Sequence, residues 1–126
     1  MKHCDEVSGR IPANQSGPVN VKMNGGTLTL NSGSGIRYGS CGVDMTGGTL
    51  NIENGGSITG AYGSGVNVRS GGSVSLKSGG SISSNDYGII MSGESSKITM
   101  TGGSITDNDA GYTGGGVCSY YGTFTM

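Results

Sequence analysis

The chain has 126 residues, of which 28 are glycine and two proline; it has no tryptophan, and its net charge is −1. Glycine so far above its usual ~7% excludes a protein built from long helices, and one Phe with six Tyr is too few aromatics to fill a conventional globular core. The near-neutral charge argues against a nucleic-acid partner, which needs a basic face, and no apolar run approaches the ~18 residues of a membrane-spanning helix.

The first 18 residues hold both prolines, Pro12 and Pro18, and little periodicity. They read as an N-terminal tail or cap that blunts the edge of the first strand. No apolar segment of a signal peptide follows Met1. His3, the single histidine, has no Ser or Cys partner at a legible spacing and reads as inert. Cys4, Cys41 and Cys118 have no metal-ligand spacing, and their odd number leaves at least one unpaired within the chain.

From residue 19 to 126 the sequence repeats with a period of 22 to 23 residues. The first register runs from Asn20 to Cys41, the second from Gly42 to Ser64 and the third from Gly65 to Tyr87. The fourth, Gly88 to Gly115, is stretched to 28 residues by an insertion near Glu94–Lys97 and a longer turn around Tyr112. A fifth begins GVCSYYGTFTM and stops inside the repeat at Met126, so a longer chain is expected on both sides.

Each register carries three short segments in which apolar residues alternate with polar ones. The first is Val43-x-Met45, Val66-x-Val68 or Ile89-x-Met91. The second is Leu28-x-Leu30, Leu50-x-Ile52, Val74-x-Leu76, Ile98-x-Met100 or Phe124-x-Met126. The third is a lone Ile36, Ile58, Ile82 or Ile105. Period-2 alternation means strand, and strands this short must pair with the same strand of the next register, ~4.8 Å along. The predicted fold is therefore all-β: a right-handed parallel β-helix solenoid with three short strands per coil and four to five coils. Gly-Gly pairs between the strands turn the corners, and Gly114–Gly116 lacks the Lys-Ser/Thr of a phosphate-binding loop.

Gly-Gly-Ser-Ile-x-x-Asn at 79–85 and 102–108, Gly-Gly-Gly-Val at 114–117 and Gly-Thr-Phe-Thr-Met at 122–126 resemble the repeats of bacterial pectin-lyase-like β-helix surface proteins, among them autotransporter and polymorphic outer-membrane adhesins. The Phe-x-x-Asn partner motif of the polymorphic proteins is missing. The resemblance covers residues 20–126 and implies a right-handed parallel β-helix, a secreted or cell-surface location and, in many cases, adhesion.

Three surfaces carry candidate chemistry. On the third turn, Asp86, Asp107 and Asp109 with Asn85 and Asn108 could gather around Ca²⁺, but Ile105 stands where the calcium nonapeptide needs glycine. The preferred reading is an internal Asn85–Asn108 amide ladder with the Asp side chains in water, and no cofactor or metal. A polysaccharide lyase also needs a basic residue in a column matching its carboxylates, and none is evident among Asp44, Glu53, Asp86, Glu94, Asp107 and Asp109. Beside the middle apolar column lie the outward pairs Thr27/Thr29, Thr49/Asn51, Ser73/Ser75, Lys97/Thr99 and Thr123/Thr125. Tyr38, Tyr62, Tyr87, Tyr112, Tyr120 and Tyr121 fall mostly at turns and could line a sugar- or protein-binding edge. Cys118 belongs to an outward column with Asp44, Asn67 and Ile90.

The sequence thus points to a non-enzymatic adhesin-like surface or stalk for a host or microbial glycan or surface protein. Its alternatives are a fragment of a carbohydrate-active β-helix and an ice-binding solenoid. The open coil at Gly122–Met126 is expected to fray or self-associate.

Overall fold

A computed structural model describes residues 19–109 and 115–126; the predicted tail at 1–18 and the turn around Tyr112 lie outside them. Strands are the only regular elements in the described chain. They are β1 (Val19–Leu30), β2 (Gly35–Arg37), β3 (Cys41–Ile52), β4 (Ser57–Thr59), β5 (Ser64–Val68), β6 (Ser73–Leu76), β7 (Ser81–Ser83), β8 (Tyr87–Met91), β9 (Lys97–Met100), β10 (Ser104–Thr106), β11 (Val117–Ser119) and β12 (Thr123–Thr125). Every described pairing is parallel and joins a strand to its counterpart one coil on. The chain is a parallel β-solenoid of about four turns.

The register places the predicted apolar columns one above another. Val43 lies over Val66, Val66 over Ile89 and Ile89 over Val117, which forms the first face. Leu28, Leu50, Val74, Ile98 and Phe124 form the second. Ile36, Ile58, Ile82 and Ile105 form the third. The core residues of the middle coils are fully buried. Each such aliphatic side chain contributes about 1.5–3 kcal/mol, so stacked coils hold where a lone coil would not.

The corner between the first and second faces differs from coil to coil. In the first two coils the two faces are one continuous 12-residue strand, bent at its Gly-Gly pair. Gly48 makes that bend at a φ of +86°, where a side chain would meet the Gly25 backbone at 2.8 Å. The third coil uses more residues between Val68 and Ser73, and the fourth more again between Met91 and Lys97, so the strand divides into β5/β6 and β8/β9. The insertion read near Glu94–Lys97 sits at this corner, tied down by the Ser96 hydroxyl, which donates to the Arg69 carbonyl.

The corner after the second face is a tight turn. Ser34 N donates to Asn31 O, Gly56 N to Glu53 O and Gly80 N to Lys77 O. Ser32/Gly33 and Asn54/Gly55 both take positive φ, the two-residue pattern of a type I′ turn.

Candidate functional site

The third turn is organised by backbone shape. Tyr38, Gly60, Ser84 and Asp107 each follow the last residue of a third-face strand, and all take a left-handed φ between 55° and 77°. That twist places Asn85 and Asn108 so that their amides run along the solenoid axis. Asn85 is 4% exposed. Its Oδ1 accepts from Ala61 N at 2.9 Å, and its Nδ2 donates to Ile58 O at 3.2 Å and to Asn108 Oδ1 at 3.1 Å. Asn108 Oδ1 also accepts from Asn85 N, and Asn108 Nδ2 donates to Ile82 O. The amide oxygens that a cation would need are thus occupied by N–H donors. Asp107 and Asp109 are exposed and Asp86 is half-buried. Among the described residues no three His, Cys, Asp or Glu side chains come together as a metal site.

The second face presents two outward columns. Thr27, Thr49, Ser73, Lys97 and Thr123 pair in succession, and so do Thr29, Asn51, Ser75, Thr99 and Thr125. The first, fourth and fifth rungs are exposed and the second and third half-buried. Asn51 Nδ2 donates to Thr29 Oγ1 at 3.4 Å, a link between rungs. Lys97 is the single charge in this array. The result is a polar surface five rungs long, made almost wholly of hydroxyl and amide groups on rigid backbone.

The tyrosines do not line up along one edge. Tyr38 is 53% exposed, whereas Tyr87 is buried and the Tyr62 hydroxyl is buried without a hydrogen-bond partner. Burial pushes the Tyr62 phenol above its ordinary pKa. Tyr120 and Tyr121 are exposed but belong to a different corner, between β11 and β12. Tyr112 lies outside the described residues, as does His3.

The first face holds what the repeat did not reveal. Its outward column, Asp44, Asn67, Ile90 and Cys118, is in register as read, yet Asp44, Asn67 and Ile90 are all buried. Asp44 is paired: its Oδ1 accepts from Arg69 Nε at 2.9 Å. A second ion pair, Lys77 to Glu53 at 3.5 Å, joins adjacent coils. Basic residues therefore do stand beside two of the carboxylates, a correction to the column reading. Lys77 directly follows β6 as Glu53 follows β3, a match visible in the sequence once the corner is aligned. Arg69 was not legible, because it reaches Asp44 from the neighbouring corner. Cys118 is a free thiol, hydrogen-bonded to the Tyr120 hydroxyl, and that bond foremost raises the Tyr120 pKa. Cys41 is disulfide-bonded.

No family model, curated protein or solved structure matches the chain. The class that the fold itself defines is the parallel β-solenoid, and no helix of the described residues is long and apolar enough to cross a membrane.

Proposed function

We propose that this chain is a non-catalytic repeat segment of a secreted or cell-surface β-helix protein of the pectin-lyase-like kind, acting as a stalk or adhesin-like surface. The observation that carries this reading is the second face. Ten outward positions in two unbroken columns, nine of them neutral hydroxyl or amide side chains, are held on stacked parallel strands. Such an array is preorganised, so a polar polymer lying along it would cost little ordering of the protein on binding. The partner class is a glycan or a glycosylated surface protein, recognised by many weak hydrogen bonds rather than one pocket. The Cys41 disulfide fits an oxidising compartment, and the repeat resemblance supports the same location.

The reading is tested on a glycan array and by pull-down from cell-surface extracts, with the wild-type chain beside a Ser73→Glu/Ser75→Glu variant. Binding by the wild type that the variant loses supports it. Failure of both to bind anything, together with cleavage of pectin-type polymers by the wild type, overturns it in favour of a carbohydrate-active fragment.

A further inference from the structure

The chain contains two Asn-Gly pairs, Asn24-Gly25 and Asn54-Gly55, and the fold treats them differently. Glycine after asparagine leaves the following amide nitrogen unshielded by a Cβ, so that nitrogen can attack the side-chain carbonyl carbon of its own neighbour. At the second pair the nitrogen is engaged: Gly55 N donates to Gly79 O at 2.8 Å, and Asn54 N donates to Ser78 O at 2.9 Å. Both residues are locked into a type I′ turn, with φ of 49° and 95°. Attack there would first have to break the contact between coils.

The first pair lies in an irregular stretch of the β1–β3 ladder, where Asn24 pairs with Gly47. The β1–β3 ladder shifts register on both sides of Asn24, between Met23 and Asn24 and again before Thr27. Asn24 is exposed, and a Cβ placed on Gly25 would meet nothing within 4 Å. The Thr46 hydroxyl lies 2.5 Å from Asn24 Oδ1 and 3.4 Å from Met23 O. At the shorter distance it donates to the amide oxygen on which negative charge develops when the carbonyl carbon is attacked, the placement that stabilises an oxyanion.

We propose that Asn24 is a site of spontaneous, fold-selected deamidation, with Thr46 as its positioning residue. Gly25 N forms a bond to Asn24 Cγ, and the tetrahedral oxyanion on Oδ1 is held by Thr46 Oγ1–H. The Cγ–Nδ2 bond then breaks, and ammonia leaves with the proton given up by Gly25 N. Water opens the resulting five-membered imide at either carbonyl, which gives an aspartyl or an isoaspartyl linkage at position 24. No oxidant or cofactor is consumed, and both reacting groups are held in one molecule. Either product puts a negative charge on the first rung, and the isoaspartyl form adds a backbone atom to a strand whose pairing is already bulged.

The experiment ages the whole folded chain at neutral pH and follows both sites by peptide mass mapping, beside an aliquot aged in denaturant. In denaturant the two sites should convert at similar rates. In the folded chain Asn24 should convert several-fold faster than Asn54. Thr46→Val should slow Asn24 by about fivefold, the rate equivalent of one net hydrogen bond, while Thr46→Ser, which keeps the hydroxyl, should leave it unchanged. Equal or faster conversion at Asn54 in the folded chain, or a Thr46→Val rate that is unchanged or higher, overturns the proposal.

Discussion

Tyr62 and Asn85 show two opposite fates of a polar side chain taken into the solenoid. The Tyr62 hydroxyl is buried and unpaired, so the group loses its water without gaining a partner. Tyr62→Phe removes that defect and is expected to raise the urea midpoint with an unchanged m-value. The proton follows the same logic. With its folded pKa above the unfolded value of 10.0, the neutral phenol is favoured by folding. That contribution is complete below about pH 10 and is lost as pH climbs through the folded pKa. Phenolate absorbance should therefore show late-titrating tyrosines, and Tyr62→Phe should shrink that phase while leaving the contribution of Tyr120. Asn85 is the opposite case, with both amide N–H groups and its carbonyl oxygen hydrogen-bonded along the ladder. Asn85→Ala abandons Ala61 N and Ile58 O inside the turn and should cost ~3 kcal/mol in urea unfolding. The ladder was legible in the sequence because Asn85 and Asn108 occupy one position of the repeat. The orphaned Tyr62 hydroxyl was not, since the repeat gives a turn's place and not the direction in which its side chain folds.

At the scale of elements, glycine answers two demands that composition alone merges, and Gly48 answers both. Some turn corners through a positive φ, as at Gly71, where φ is +70° and the space around is open. Others have an ordinary φ and no room. A Cβ on Gly65 would lie 2.8 Å from Gly88 O, 2.9 Å from Asn85 Nδ2 and 3.0 Å from Ile82 Cγ2. The first kind includes a member of several Gly-Gly pairs, visible as punctuation between strands, and also the lone Gly33, Gly39 and Gly60. The second kind appears only in the folded coils, because the neighbours of Gly65 are Gly88 in the next register and Ile82 and Asn85 at other phases of its own. Gly65→Ala is expected to cost ~3 kcal/mol through overpacking against backbone, and Gly71→Ala about 1 kcal/mol through left-handed strain alone. Urea melts of the two variants side by side check the order. Strand length was likewise only half legible. The sequence predicts separate first- and second-face strands in every coil, and β1 and β3 instead run through the corner, because a three-residue corner with a glycine hinge bends without dividing the strand. The longer corners at Val68–Ser73 and Met91–Lys97 do break it.

For the molecule as a whole, a solenoid is stabilised by neighbour contacts, so its outermost coil is its weakest. In the 126-residue chain that coil carries β11 and β12, with Phe124 39% and Met126 86% exposed. These residues continue columns that are fully buried two coils earlier. An apolar edge with unpaired strand groups is a template for further pairing, so the chain should associate with rising concentration. Phe124→Asp should suppress that association in sedimentation velocity while leaving the far-ultraviolet circular dichroism unchanged.

Composition and a period of 22 to 23 residues by themselves determined the solenoid, the three apolar columns and the amide ladder. In a fold made by translation along one axis, residues at the same phase of the repeat must stack, so phase alone names the partner. Only the tertiary structure decided that the outward column of the first face is buried, that Arg69 reaches Asp44, and that Tyr62 and Tyr87 are withdrawn from the surface. The Arg69–Asp44 contact joins residues at different phases through side-chain reach, and periodicity carries no information about such contacts or about how far a side chain is buried.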